Sequence, residues 1–147
     1  MRAVIQRVSR AQVRVEGKPI GEIGAGLLVL LGVGKGDTAA EGASLLDKIV
    51  HLRIFEDEQG KMNLSLLDCG GELMIISQFT LYGDCRRGNR PGFDKAASPS
   101  LALGFYEKFI DKIGEKGVII KAGRFGAKMT ISLVNEGPVT LILDSRM

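Results

Sequence analysis

Leu27-Leu28-Val29-Leu30-Leu31-Gly32-Val33 is an unbroken apolar run with no alternation, bounded by Gly24-Ala25-Gly26 before it and Gly34 and Gly36 after it. At seven residues it is too short for a buried helix. It reads as a strand covered on both faces. Leu73-Met74-Ile75-Ile76 repeats the pattern further on. A helix is expected after each of these strands. Thr38 and Glu41 make a capping-box pair, and Ala39, Ala43, Leu46, Ile49 and Val50 recur at helical spacing up to about Leu52. Ser98 as N-cap and Pro99 at the first helical position open the second helix. Its expected stripe is Leu101, Phe105, Phe109, Ile110 and Ile113, ended by Gly114 and Gly117.

Working outward, the rest is strand-like. Val4 to Val8 and Val13 to Val15 alternate as two short strands, and a third follows the turn at Gly17-Lys18-Pro19. A further strand is expected around Leu52 to Glu56, with a turn at Glu58-Gln59-Gly60. The C-terminal part gives strands at Val118 to Lys121, Met129 to Val134 and Val139 to Leu143. The sum is an α/β chain, residues 1–147, forming one layered β/β/α domain. Its sheets should be mostly antiparallel, with two main helices on one side.

Composition narrows the chemistry. The formal charge is +3, from 20 Lys and Arg against 17 Asp and Glu, so nucleic-acid contact would need a local basic patch. Cys69 and Cys85 lack metal-ligand spacing and read as reduced thiols. His51 is the single histidine, which removes multi-His metal sites and most His-based triads unless it is itself the base. No metal or cofactor is expected. The N-terminus lacks a signal-peptide run and no apolar stretch reaches membrane length, so a cytoplasmic protein is expected.

Five segments carry possible chemistry. Gly32-Val33-Gly34-Lys35-Gly36-Asp37 sits where a phosphate loop would, but Val29 stands at the first Walker glycine, Gly36 replaces the hydroxyl and Asp37 replaces the third dinucleotide glycine. It reads as a plain strand-to-helix turn. Ser77-Gln78-Phe79-Thr80-Leu81 follows a buried strand, where active-site groups often lie. Treated as continued strand, it has polar groups on both faces, so a site and a solvated strand face both stand at this point. Asn135-Glu136-Gly137-Pro138-Val139-Thr140 joins two apolar strands, as a hairpin turn or as a rigid wall around an X-Pro bond that can be cis. Arg86, Arg87 and Arg90 form the densest basic cluster, either a solvated loop or a phosphate contact. Gly123 to Met129 combines basic residues with Phe125, as base stacking would, although Phe125 and Met129 also suit a core.

In this order and length, the segments resemble the D-aminoacyl-tRNA deacylase family. The resemblance rests on Arg2-Ala3-Val4-Ile5-Gln6-Arg7-Val8, Ser77 to Leu81, the Arg-rich loop through Pro91-Gly92-Phe93, Gly123 to Met129 and Asn135 to Thr140. It implies an enzyme that hydrolyses D-aminoacyl-tRNA, and glycyl-tRNA as well, since glycine has no side chain to reject. It also implies a homodimer in which a cis Gly137-Pro138 peptide enters the partner's site and sterically rejects L-aminoacyl groups. Arg7 would orient that turn. Ser77, Gln78, Phe79 and Thr80 would form the catalytic floor, and Phe125 and Met129 would lie near the terminal adenosine. An aminoacyl ester is already activated, so backbone donors, positioned water and the substrate's own ribose hydroxyl could suffice. Thr80 has no base nearby in sequence to make it a nucleophile. The rival expectation is a non-catalytic, homodimeric RNA-binding module.

Overall fold

Residues 1–146 are described by the structure, a computed structural model. The first strand, β1, runs unbroken from Arg2 to Val15, so the two short strands expected there are one. It pairs with β2 (Lys18–Ile23), β3 (Gly26–Gly32) and β8 (Met129–Asp144), all antiparallel. One edge of β1 carries β3 beside Arg2 to Val8 and then β2 beside Ala11 to Val15, while β8 follows the other edge over nearly its whole length. A strand whose halves have different neighbours must bend, and the sheet bends with it.

The main sheet runs β2-β1-β3-β6-β7, with β8 alongside β1. Here β6 is Glu72–Ser77 and β7 is Ile120–Ala122, and β3, β6 and β7 are mutually parallel. The two ends of the sheet approach each other: a Cβ on Gly21 of β2 would lie 3.4 Å from Lys121 Cβ and 3.8 Å from Ala122 O. The result is a curled sheet close to a barrel. β4 (Phe55–Glu56) and β5 (Met62–Leu64) form a separate small hairpin, so the strand expected over Leu52 to Glu56 is only its last two residues.

The two apolar runs lie at the centre, buried on both faces as expected. Leu27, Val29 and Leu31 of β3 and Leu73 and Ile75 of β6 face the helices. Leu28, Met74 and Ile76 face inward, against Val8, Ala11, Val13 and Ile23 of the curled-over half of the sheet. Burying a Leu or Ile side chain contributes about 1.5–3 kcal/mol, so this double-sided layer is the main source of stability. Sheet therefore packs on sheet within one continuous ladder.

The helices α1 (Ala39–His51) and α3 (Pro99–Glu115) both cover the same side. The Thr38–Glu41 capping box is formed in full. Ser98 precedes α3 with Pro99 at its start, but the Ser98 side chain makes no capping bond. The buried stripe of α3 is Ala102, Tyr106, Phe109 and Ile113, one position on from the expected stripe in its first half, and Leu101 is exposed. A four-residue helix, α2 (Leu66–Cys69), has its own Ser65–Asp68 capping box, which sequence reasoning missed.

Candidate active site

β6 ends at Ser77, and the chain does not continue extended to Leu81. Phe79–Tyr82 instead forms a 3-10 turn. Gln78 N–H donates to Leu31 O at the end of β3 (2.8 Å), and Gly83 N–H donates to Thr80 O (2.9 Å). The amides of Phe79 and Thr80 lie before the first bonded turn, where a helix leaves its N–H groups without internal partners. Among the described residues neither donates to any acceptor. Side chains from Ser77 to Leu81 therefore do not alternate between two strand faces, because the segment is no longer a strand.

This turn forms one wall of a cavity of about 570 Å³ at the C-terminal ends of β3 and β6. That is where open parallel strands place ligands. Ser77, Gln78, Phe79, Phe125 and Met129 all line it, so five of the expected site residues come together. Gln78 Nε2 donates to Thr80 Oγ1, tying the two polar side chains to each other at the surface. No acid, base or histidine lines the cavity, and among the described residues no His, Cys, Asp and Glu group could hold a metal.

Two residues support the cavity that sequence reasoning did not single out. Tyr106 of α3 reaches Ile75 O and Gly123 O with its hydroxyl, both at 3.1 Å, and its ring lies 5.8 Å from that of Phe125. Burial pushes this phenol up to about 12, so it remains a donor at neutral pH. It binds the last turns of β6 to the Gly123–Met129 segment. A helical stripe started at Ala102 instead of Leu101 would have revealed it. The second is Phe93, which also lines the cavity and meets Phe79 edge to face at 5.0 Å.

Gly137 and Pro138 lie elsewhere in the chain and do not line this cavity. Of the two alternatives for this segment the hairpin turn does not form, because β8 is a single strand with a bulge. Gln6 pairs with Thr140 and Val8 with Asn135, so residues 136–139 stand opposite Arg7 alone. Arg7 is 7% exposed; its Nε donates to Glu136 O (2.9 Å) and its Nη1 to Ile54 O (2.7 Å). Asn135 closes the bulge, accepting from Val139 N–H (2.8 Å) and donating to Val139 O (3.1 Å). The Gly137–Pro138 peptide is cis. Gly137 has φ +138°, and a Cβ there would lie 2.8 Å from Val139 Cγ2 and 3.0 Å from Arg7 Nη2.

The bulge borders Glu72, and Arg7 pairs with Leu27, so it belongs to the N-terminal ends of β3 and β6. Register separates Gly26–Glu72 from Leu31–Ser77 by five residues. That corresponds to roughly 16 Å of extended chain. Within the chain the bulge and the Ser77–Tyr82 turn do not share a cavity.

The arginine loop divides. Arg86 is neutralised by Asp84 through a bidentate pair, and hydrogen bonds from its side chain and backbone hold the Asp84 carboxyl well below the usual carboxylate range. Arg87 and Arg90 are exposed and form no ion pair among the described residues. None of the three lines the cavity.

A cavity at the end of parallel strands, an unbonded amide at Phe79 in its wall and no titratable group in its lining suit a hydrolase of activated esters. A profile described as D-Tyr-tRNA(Tyr) deacylase matches residues 4–144, and the chain belongs to that family. It is similar to D-aminoacyl-tRNA deacylases of Thermosipho africanus, at 58% identity covering 99% of this chain and 98% of the relative, and of Clostridioides difficile, at 57% covering 99% and 97%. Among solved structures it is similar to a c-Myc DNA Unwinding Element Binding Protein, with 43% identity, TM-score 0.92 and 98% of each chain covered. A probable eukaryotic D-amino acid tRNA deacylase shares the fold, with TM-score 0.82 at 17% identity over 97% of each chain. The chain is thus an enzyme, a hydrolase of the D-aminoacyl-tRNA deacylase family. No helix among the described residues is long and apolar enough to cross a membrane.

Proposed function

We propose that this chain acts in the cytoplasm as a homodimer that hydrolyses D-aminoacyl-tRNA and glycyl-tRNA and rejects L-aminoacyl-tRNA by steric exclusion. The observation that carries the reading is the unbonded amide of Phe79 in the wall of a cavity without an acid or base, with the unbonded amide of Thr80 next to it in the chain. Water attacks the ester carbonyl carbon, the carbonyl oxygen takes up negative charge, and backbone N–H groups stabilise it. The bond to the ribose oxygen then breaks, and that oxygen takes the proton that water gives up, with the neighbouring ribose hydroxyl relaying it. Gln78 and Thr80, bonded to each other, position the ester. Phe125 and Met129 hold the terminal adenosine.

Chiral selection rests on the bulge. In one protomer it lies at the wrong end to meet the cavity, which supports delivery to the partner's Ser77–Tyr82 turn across a two-fold interface. A symmetric pairing supplies both sites at once. The turn's backbone would occupy the volume an L side chain needs, which excludes one configuration without selecting among D side chains.

The test is single-turnover deacylation of D-, L- and glycyl-tRNA, with the oligomeric state measured by sedimentation. Hydrolysis of the D and glycyl substrates by a dimer, with the L substrate spared, is the expected result. A monomer with full activity would sink the cross-subunit arrangement. The relative of 43% identity is named for binding a DNA element, which favours a second reading as a non-catalytic nucleic-acid-binding dimer. Binding without release of amino acid would establish that reading instead.

A further inference from the structure

We infer that Phe79 and Phe93 form a stacking platform for the nucleotide preceding the terminal adenosine. This places a second nucleobase subsite on the rim of the cavity, and it rests on the deacylase reading above. A cavity of about 570 Å³ suits an aminoacyl nucleoside and leaves no room for a second nucleotide. The next base of a single-stranded RNA end must therefore lie on the rim.

The rim has one feature suited to it. Phe79 is 54% exposed, an unusual state for a phenylalanine, and its ring is braced edge to face by Phe93. Phe93 is held in place from both sides along the chain: Asp84 and Gly92 exchange backbone bonds (2.8 and 3.0 Å), and Ala96 N–H donates to Phe93 O (3.0 Å). Its ring would also lie 3.3 Å from a Cβ on Gly83, so it packs against the end of the catalytic turn. The same Asp84–Gly92 pairing closes the loop whose tip carries the exposed Arg87 and Arg90.

Three features are thus joined in one stretch of chain: the cavity wall at Ser77 to Phe79, an open aromatic face and, beyond the Asp84–Gly92 pairing, exposed guanidinium groups. Aromatic faces stacked on bases, flanked by phosphate-binding arginines, are how proteins hold single-stranded nucleic acid without reading its sequence. The occupant is a single-stranded nucleotide joined to the aminoacyl adenosine. Its base identity should matter little.

The experiment compares two substrates in the intact protein: D-aminoacyl-tRNA, and D-aminoacyl-adenosine, which lacks every nucleotide but the last. Phe93→Leu keeps an apolar side chain but removes the ring. The expected result is a loss in kcat/KM about ten-fold greater on the tRNA than on the aminoacyl-adenosine, the size of one lost base stack, because Phe93 also lines the cavity and both substrates feel its removal there. Phe93→Tyr, which restores a ring, should recover the tRNA rate.

An equal loss on both substrates would overturn the inference and place Phe93 in the adenosine pocket or in the fold. No loss on either, or a loss that tyrosine does not restore, would overturn it as well. A shift of Phe93→Leu from dimer to monomer would assign the platform to the interface between copies. If the unaltered protein hydrolyses neither substrate, the deacylase reading itself fails, which is a different result from any of these.

Discussion

The Glu136–Val139 bulge and the Phe79–Tyr82 turn are opposites in how they are built. The bulge is fixed by side chains that act on its own backbone: Arg7 on Glu136 O, and Asn135 on both polar groups of Val139. The turn is fixed from the main chain and from behind. Gln78 N–H is tied to Leu31 O, and Arg2 donates to Leu81 O (3.1 Å) while stacking over the Tyr82 ring at 4.7 Å. Its own side chains, Gln78, Phe79 and Thr80, are left facing outward, and two of its amides are unbonded. A backbone wall needs its conformation fixed and its side chains out of the way. A floor that receives a ligand needs donors left over.

This contrast is broken most severely at Gly137. Its φ of +138° disfavours any residue with a Cβ, and the added methyl would meet Val139 and the Arg7 guanidinium. Gly137→Ala should therefore displace the wall. A misplacement of about 1 Å costs on the order of 10²-fold in rate. Loss of that order on D-aminoacyl- and glycyl-tRNA, in a protein still folded and dimeric, is the expected outcome of single-turnover assays. An alanine variant with normal rates would show that the wall plays no part in the reaction.

Removing Arg7 attacks the same element through its support. Arg7→Ala leaves the carbonyls of Glu136 and Ile54 without a charged donor in buried surroundings. Hydrogen bonds to charged groups contribute about 1.5–3 kcal/mol each, so urea denaturation should register a loss of roughly 3 kcal/mol. Arg7→Lys should recover part of it, since one ammonium cannot reproduce the fork that reaches two carbonyls. Unchanged stability would mean that the bulge holds its shape without the clamp.

The two regions also differ in how far they can be read from sequence. The central layer is legible because Leu27–Leu31 and Leu73–Ile76 are buried on both faces, and unbroken apolarity records that directly. The Thr38–Glu41 cap is legible because its partners are three residues apart. The bulge is not: whether Gly137–Pro138 turns the chain back or only bows it out depends on pairing with β1, more than 120 residues earlier, and both outcomes need a Gly-Pro. Nor does Ser77 to Leu81 announce its change from strand to 3-10 turn, because Phe79 and Leu81 are as acceptable in a strand. The grouping of Ser77, Gln78, Phe79, Phe125 and Met129 came from resemblance. Local pattern gave Phe125 and Met129 a core role just as readily.

Thr80 offers a gentler test of the floor. Its hydroxyl accepts from Gln78, and the cavity lining holds no base to deprotonate it. A catalytic acid or base typically contributes ~10²–10⁴-fold, whereas Thr80→Ala should lower the single-turnover rate by less than about ten-fold. Complete inactivity of this variant beside a normal Gly137→Ala would reverse the comparison. It would make the floor's side chains, not its backbone and the facing wall, the seat of catalysis.

The smallest effects belong to the arginine loop, which has neither the bulge's clamps nor the turn's unbonded amides. Each phosphate contact to single-stranded RNA contributes about 0.7 to the slope of log K against log salt. Arg87→Ala with Arg90→Ala should flatten that slope by roughly 1.4 in a filter-binding titration with tRNA. Arg86 differs, because Asp84 already holds its guanidinium in a bidentate pair. Arg86→Ala should change the slope less than either neighbour. Asp84→Asn removes the competing charge and frees Arg86 for phosphate, so it should tighten binding and steepen the slope toward one further contact. The Asp84–Gly92 backbone pairing does not involve the carboxylate, so the loop should keep its shape in that variant. If Asp84→Asn and the double arginine variant both leave the slope unchanged, the loop is a solvated surface. Electrostatic contact with the RNA would then have to come from elsewhere on the chain.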